Sequence, residues 1–176
     1  MNLPNQLTML RIILIPVFIV VLMLGHYYWA AAIFVVAAAT DALDGHIARK
    51  YNLITNFGKL MDPLADKLLV VSALVCLVEL GDIQAWIVIV ILAREFTITA
   101  LRSVAASEGI VIAAGKSGKL KTVFQMVAIT AILLKNWPFA LIGVPFATIM
   151  LWCALILTIY SGIEYMIKNK AVFSMK

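Results

Sequence analysis

The chain has 176 residues, of which 64% are hydrophobic and 13% are charged, and its formal net charge at pH 7 is +5. Together with a mean hydropathy of +1.06, this composition excludes an ordinary soluble globular protein and predicts a polytopic membrane protein with a single domain over residues 1–176. The positive charge does not require a nucleic-acid partner, and we expect none, because Lys and Arg collect on the cytoplasmic side of membrane spans.

A membrane-spanning helix needs about 20 mostly apolar residues. Six segments meet this requirement, so we predict an all-α integral membrane bundle of six transmembrane helices. In chain order the predicted spans are 6–24, 30–50, 57–80, 84–107, 119–134 and 139–167. A polar, glycine-bearing loop at 108–118 separates the fourth and fifth spans, and the other turns are short. No basic segment precedes the first apolar stretch, so we expect a retained span and not a cleaved signal.

The distribution of basic residues predicts the orientation of these spans. If the N-terminus lies inside, all but one of the 14 Lys and Arg residues lie on the inner side, and the exception is Lys135. The positive-inside rule then favours an N-in/C-in protein of the cytoplasmic (cell) membrane.

Four aspartates near the inner ends of the second and third predicted spans form the main functional signal. Asp41 and Asp44 are three residues apart, and Asp62 and Asp66 are four apart, so each pair shares a helix face. A charged side chain near mid-membrane costs roughly 2.5–3.5 kcal/mol. Hard divalent cations with oxygen ligands would offset that cost, and two such ions balance four carboxylates. We therefore predict a metal site that faces the cytosol.

Small residues accompany the aspartates at Gly45, Ala48 and Gly58, which allow close approach of a ligand or a helix. Taken singly, each of these positions is explained by helix packing or capping, and only the ordered set indicates a site. Pro63 either kinks the third span or falls in the first turn of its helix.

The ordered set resembles the signature of the CDP-alcohol phosphatidyltransferases, D-x2-D-G-x2-A-R-x8-G-x3-D-x3-D, at every fixed position from Asp41 to Asp66. Members of that family are small six-span membrane enzymes that transfer a phosphatidyl group from a CDP-linked lipid to an alcohol and release CMP. The resemblance implies that the metal ligands, for Mg²⁺ or Mn²⁺ and for two ions, are Asp41, Asp44, Asp62 and Asp66. It implies cytidine-nucleotide contacts from Gly45, Ala48, Arg49 and Gly58.

The resemblance also assigns Asp66 as the residue that takes the proton from the attacking hydroxyl. A carboxylate next to a metal is a weak base, so we expect Asp66 to act while the hydroxyl ionises and not before.

Basic residues of the later spans bear on which alcohol is used. Arg94 and Arg102 lie two helical turns apart on the fourth span, and Lys116 and Lys119 lie in the inner loop. Arg94 could simply pair with Glu95 or snorkel, and the lysines could bind anionic headgroups. Together the four cations could instead hold a phosphate on the acceptor, with bidentate contacts from the arginines.

Within the family the chain resembles bacterial phosphatidylglycerophosphate synthases in its opening Asn2 to Arg11, in Ala93-Arg94-Glu95-Phe96 and in Ser161-Gly162-Ile163-Glu164-Tyr165. That likeness implies CDP-diacylglycerol and sn-glycerol 3-phosphate as substrates and a homodimer in the membrane lipid. It would place Asn5, Thr8 and Arg11 near the nucleotide, although Arg11 could simply mark the inner interface.

Two alternatives stay open at this point. Another phosphorylated polyol, such as inositol phosphate, fits the same cations. A divalent-cation transporter would explain the aspartates, but it gives no reason for Gly45, Ala48, Arg49 and Gly58 at fixed spacing, and it should place acids deeper and on more than two helices.

Overall fold

The computed structural model describes the backbone of residues 3–50, 56–110, 112 and 115–170, and the side chains of 5–40, 58, 61–110, 112, 115 and 117–170. Over these ranges the protein is all-helical and has no strand, which confirms the all-α part of the predicted fold class. The helices are α1 Leu3–Met23, α2 Tyr27–Lys50, α3 Asn56–Glu79, α4 Ala85–Ser107, α5 Lys116–Leu133 and α6 Phe146–Lys168, with a 3-10 turn at Phe139–Ile142.

The first five helices begin and end within three residues of the predicted spans. The sixth prediction is wrong at its start, because α6 begins at Phe146 and not at residue 139. Residues 139–142 are apolar, but they form a 3-10 turn that ends at Gly143 in the left-handed conformation, with φ of 69°. Pro145 then stands at the N-cap of α6, where its missing N–H costs no helix hydrogen bond.

Asn136 joins the two ends of this irregular segment. Its Nδ2 donates a hydrogen bond to the carbonyl of Val144 at 2.7 Å, and its Oδ1 accepts one from the backbone N–H of Ala147 at 2.9 Å. Asn136 itself is left-handed, with φ of 61°, a conformation that asparagine tolerates better than most residues. The segment between α5 and α6 is therefore fixed by side-chain hydrogen bonds as well as by its turns.

Residues 1–82 with 133–135 form one compact unit. In it α1 packs against α2 and α3, and α2 also contacts α3. The core between these helices is built from large buried side chains such as Phe18, Phe34 and Leu69, and the Phe18 and Phe34 ring centroids are 5.9 Å apart. This apolar packing fixes α1 beside the helix that carries Asp62 and Asp66.

Lys135 lies at the end of this unit where α2 begins, whereas Asp41 and Asp44 lie in the second half of that helix. Its Nζ lies 3.4 Å from the centroid of the Tyr27 ring and 3.2 Å from Oδ1 of Asp82. Burial lowers the pKa of Lys135, but the interactions with Tyr27 and Asp82 outweigh burial and raise it overall. We call these three residues the Lys135 clasp; they join the start of α2, the turn after α3 and the end of α5.

Residues 83–132 with 136–176 form a second compact unit, in which α4 packs against α6. Its buried side chains include Ile87, Ile91 and Leu151, and the Trp86 and Trp152 rings contact each other with centroids 5.9 Å apart. That residues 1–176 act as one domain stays a prediction.

Two helices within the described ranges are long and apolar enough to cross a membrane, at Asn5–Met23 and Phe146–Lys168. Large apolar side chains on both, such as Ile13 and Ile163, are exposed. Exposed apolar helix faces of this length are typical of contact with lipid.

Candidate functional site

The first part of the family signature lies on α2. The helix runs without interruption to Lys50, so Asp41 and Asp44 lie three positions apart on a continuous helix, as predicted. The side chains of Asp41, Asp44, Gly45, Ala48 and Arg49 lie outside the described residues.

The second part of the signature lies on α3. Gly58 is buried, and Asp62 and Asp66 are half-buried one helical turn apart. Pro63 lies inside α3 and not in its first turn, which decides between the two alternatives for this residue. Because proline removes the helix hydrogen bond of its own N–H, α3 is locally weakened next to Asp62.

A buried polar face of α1 contacts this part of α3. Asn5, Thr8 and Arg11 are spaced three residues apart and are all buried, the last two completely. The Thr8 hydroxyl donates a hydrogen bond to Oδ1 of Asp62 at 2.5 Å. The structure thus brings Thr8, expected near the nucleotide, directly to an expected metal ligand.

Arg11 is buried, although the simplest interpretation of its position was an arginine at the membrane interface. An arginine that marks the membrane interface should keep its guanidinium in water, whereas Arg11 is fully buried. Its spacing of three from Thr8 gave the only sequence signal for a place on the same polar face.

The carboxylates on α3 have the chemistry of a hard-cation site. An ionised carboxylate has about four acceptor positions, so one hydrogen bond from the neutral Thr8 hydroxyl leaves Asp62 able to bind a cation. Among the described side chains no group of three or more His, Cys, Asp or Glu residues forms a metal site by itself. Asp41 and Asp44, the other two carboxylates of the predicted set, lie outside the described side chains.

The predicted acceptor cations lie in the second compact unit. Arg94 is largely buried, with 13% of its side chain exposed, and its Nη1 lies 3.4 Å from Oε2 of Glu95. Arg102 on α4 and Lys119 on α5 are exposed. The side chain of Lys116, the first residue of α5, lies outside the described residues. Arg94 thus makes the pair with Glu95 that was one alternative to binding an acceptor phosphate.

Polar pairs link the helices of this unit, and sequence analysis did not find them. Lys121 of α5 is buried and forms an ion pair with Glu95 of α4. Glu164 of α6 accepts a hydrogen bond from Ser117 and pairs with Lys168 at 2.5 Å. The first two contacts join residues 26 and 47 positions apart, so no local spacing could have predicted them.

Two glycines allow other helices to approach the Arg94 side chain. A Cβ at Gly162 of α6 would lie 3.1 Å from Cγ of Arg94, and a Cβ at Gly118 of α5 would lie 3.6 Å from its Nη2. The first distance is tighter than normal packing, whereas the second is an ordinary contact. Gly162 therefore matters for the position of Arg94.

Comparison with known proteins identifies the relatives of the chain. The family profile described as CDP-alcohol phosphatidyltransferase matches residues 1–160. A CDP-diacylglycerol–glycerol-3-phosphate 3-phosphatidyltransferase of Bacillus subtilis is 48% identical over 184 residues, covering 96% of this chain and 95% of the relative. A protein with the same name from Haemophilus influenzae is 40% identical, with 94% and 91% covered.

A third relative, a probable phosphatidylglycerophosphate synthase of Mycobacterium tuberculosis, is 40% identical over 171 residues, with 93% of this chain and 79% of the relative covered. These matches extend over the signature on α2 and α3 and over nearly all of the remaining chain. The chain belongs to the CDP-alcohol phosphatidyltransferase family.

Proposed function

We propose that this protein transfers a phosphatidyl group from CDP-diacylglycerol to sn-glycerol 3-phosphate, which gives phosphatidylglycerophosphate and CMP in phospholipid biosynthesis. The names of its relatives give both substrates. The structural observation that carries the proposal is the contact between the polar face of α1 and the signature, seen as the hydrogen bond from Thr8 to Asp62.

In this proposal Asp41, Asp44, Asp62 and Asp66 hold Mg²⁺ or Mn²⁺, with two ions balancing four carboxylates. The bound ions supply positive charge that neutralises the pyrophosphate and the charge developing on the leaving CMP oxygen. Thr8 holds the Asp62 carboxylate in one orientation through its hydrogen bond.

Asp66 acts on the acceptor. As the free primary hydroxyl of sn-glycerol 3-phosphate forms its bond to the lipid-proximal phosphorus, the hydroxyl proton passes to the Asp66 carboxylate. The bond from that phosphorus to the CMP oxygen breaks, and CMP leaves with the electron pair. Asp66 lies one turn from Asp62 on the same helix, so helix geometry holds the two carboxylates on one face.

The nucleotide part of CDP-diacylglycerol is assigned to small residues and polar side chains. Gly45, Ala48 and Gly58 leave room for the nucleotide, and Arg49 supplies a positive charge. Gly58 is buried on α3, and Asn5 and Thr8 are buried on α1, in the unit that carries Asp62.

The phosphate of the acceptor is assigned to the cations Arg94, Arg102, Lys116 and Lys119. Arg94 retains its charge-assisted contact with Glu95, while Glu95 also pairs with Lys121. Because Glu95 carries one negative charge and contacts two cations, the three side chains together carry a net positive charge. That residual charge supports binding of an anionic acceptor over choline or ethanolamine.

We further propose six transmembrane helices in the cytoplasmic membrane, an N-in/C-in orientation, a cytosol-facing reaction and a homodimer. The orientation leaves Lys135 as the single basic residue outside, and its pairing with Asp82 there offsets its charge. Cysteine labelling of residues in the Lys135 turn and in the 108–118 loop from either side of sealed vesicles tests the orientation.

The function is tested by offering the purified protein labelled CDP-diacylglycerol with Mg²⁺ and a panel of acceptors: sn-glycerol 3-phosphate, inositol phosphate, glycerol, inositol, choline and ethanolamine. We expect labelled phosphatidylglycerophosphate and CMP with the first acceptor only. A product formed with inositol phosphate alone would retain the chemistry and overturn the acceptor. Absence of any CMP release, with cation flux across proteoliposomes instead, would overturn the enzyme assignment in favour of a transporter.

A further inference from the structure

Tyr165 is a buried residue near the C-terminal end of α6 with no role in the function proposed above. It is 8% exposed, and its ring lies in an apolar cluster with Ile98 and Leu101 of α4, against which Ile112 packs. This packing fixes the ring and therefore the position of the phenol oxygen.

The Tyr165 hydroxyl is buried and makes no hydrogen bond to any part of the chain that the structure describes. Buried polar atoms nearly always have a partner, and leaving a hydroxyl without one costs about 1–3 kcal/mol. Phenylalanine would pack in the same cluster without this cost. The hydroxyl is therefore suited to a partner that the described part of the chain does not supply.

Two arginines are the charged groups that act on this hydroxyl. The guanidinium groups of Arg102 and Arg94 both act electrostatically on the phenol. Nε of Arg94 is likewise buried with no hydrogen-bond acceptor within the described ranges. Two unsatisfied donors in a positively charged environment match a ligand with several anionic oxygens, and phosphate is the chemical group that fits.

The carboxylates of this unit do not fill that role. Glu95 is engaged by Lys121 and Arg94, and Glu164 is engaged by Lys168 and Ser117. Neither pairs with the Tyr165 hydroxyl.

We propose that the Tyr165 hydroxyl donates a hydrogen bond to the phosphate of the acceptor alcohol and so contributes to the choice of a phosphorylated acceptor. The inference rests on the proposed function, because it concerns the acceptor phosphate assigned to Arg94 and Arg102. The hydroxyl is a neutral donor, so it adds a directional hydrogen bond to the positive charge that the arginines provide.

The test compares Tyr165→Phe with Tyr160→Phe. Both variants remove one phenol hydroxyl from α6, but Tyr160 is 60% exposed, which makes it a matched control. With Tyr165→Phe we expect KM for sn-glycerol 3-phosphate to rise about tenfold, the effect of losing one hydrogen bond to a charged group. KM for CDP-diacylglycerol should not change, and Tyr160→Phe should match the wild type in both constants.

Thermal unfolding separates this role from a structural one. Because Tyr165→Phe removes an unsatisfied buried hydroxyl, its Tm should equal or exceed that of the wild type. A lower Tm or a loss of folded protein would show that the hydroxyl has a partner within the protein, and would overturn the proposal. An unchanged KM for sn-glycerol 3-phosphate in a folded variant would overturn it as well.

The wild type distinguishes this failure from failure of the proposed function. If the wild type forms no phosphatidylglycerophosphate from sn-glycerol 3-phosphate, the function itself is wrong and the inference falls with it. If the wild type forms that product and Tyr165→Phe uses sn-glycerol 3-phosphate equally well, only the role of Tyr165 is wrong.

Discussion

Asp62 of the first compact unit and two glutamates of the second, Glu95 and Glu164, have different kinds of partner. In the first unit, Asp62 accepts a hydrogen bond from a neutral hydroxyl, that of Thr8, which orients the carboxylate without neutralising it. In the second unit, Glu95 pairs with Lys121 and Arg94, and Glu164 pairs with Lys168. The hydrogen bond to Asp62 leaves its negative charge in place, whereas the ion pairs of Glu95 and Glu164 neutralise theirs.

The difference indicates separate tasks for the two units. A carboxylate that is oriented but still charged can bind a cation. A carboxylate that is already paired instead positions the lysine or arginine beside it. Substitution of Asp62 or Asp66 should therefore affect turnover, and substitution of Glu95 or Glu164 should affect binding of the anionic acceptor.

Metal removal should have the largest effect and acts only on the first unit. EDTA should stop CMP release, since the aspartates would then lack the ions that neutralise the pyrophosphate, and added Mg²⁺ or Mn²⁺ should restore it. Release of labelled CMP before and after chelation measures this. Activity that survives chelation would contradict metal binding by Asp62 and the other three aspartates.

Asp66→Asn should lower kcat by about 10²–10⁴-fold, because it removes the proton acceptor and leaves the fold unchanged. Asp82→Asn is the control, since Asp82 is an acid of the same unit that pairs with Lys135 and has no proposed part in the reaction. The measurement is steady-state CMP release by folded protein in detergent. Near-normal turnover of Asp66→Asn would remove its role in proton transfer.

Arg94→Ala or Arg102→Ala should raise KM for sn-glycerol 3-phosphate by about 10–100-fold, the effect of losing a charge-assisted contact. KM for CDP-diacylglycerol should change little. Lys168→Ala, which removes an exposed cation paired with Glu164, serves as control. A rise in the CDP-lipid KM alone would place these arginines with the donor substrate.

Gly162→Ala should raise KM for sn-glycerol 3-phosphate severalfold, because the new Cβ lies 3.1 Å from Cγ of Arg94 and displaces that side chain. Gly118→Ala adds the same methyl group at an ordinary 3.6 Å from Nη2 and should have a smaller effect. Initial rates over a range of sn-glycerol 3-phosphate concentrations measure both variants. Equal effects of the two substitutions would show that close approach to Arg94 is not the cause.

The Lys135 clasp should have the smallest effect, on stability alone. Lys135→Gln removes a partly exposed cation from Asp82 and the Tyr27 ring, which is worth at most about 1 kcal/mol, so Tm should fall by only a few degrees. Because the folded pKa of Lys135 is raised, its contribution is complete below the unfolded lysine pKa, about 10.4, and is lost as pH rises through the folded value. Melting curves of both proteins should therefore converge at strongly alkaline pH and differ at neutral pH.

Most helix positions could be predicted because apolar runs and turn residues are local signals. The start of α6 could not, since Phe139–Ile142 has the composition of a span and only the backbone at Gly143 shows that it is a turn. Hydropathy measures composition and does not detect a left-handed residue.

The candidate residues of the first unit could be proposed from sequence because Asp62 and Asp66 follow helical spacing within a short segment. The pairs of the second unit could not, since Lys121 with Glu95 and Ser117 with Glu164 join residues on different helices. The burial of Arg11 was also beyond the sequence, because an arginine in an apolar run is equally compatible with an interfacial position.

The side chain of Asn136 has a consequence for how α6 begins. The first N–H groups of a helix have no partner within it, and at a lipid boundary an unpaired backbone group is costly. Asn136 accepts a hydrogen bond from the N–H of Ala147 and donates one to the carbonyl of Val144. Its side chain thus replaces the water that these two backbone groups would otherwise bind. The start of the sixth helix can therefore lie close to the lipid boundary with these two backbone groups already paired.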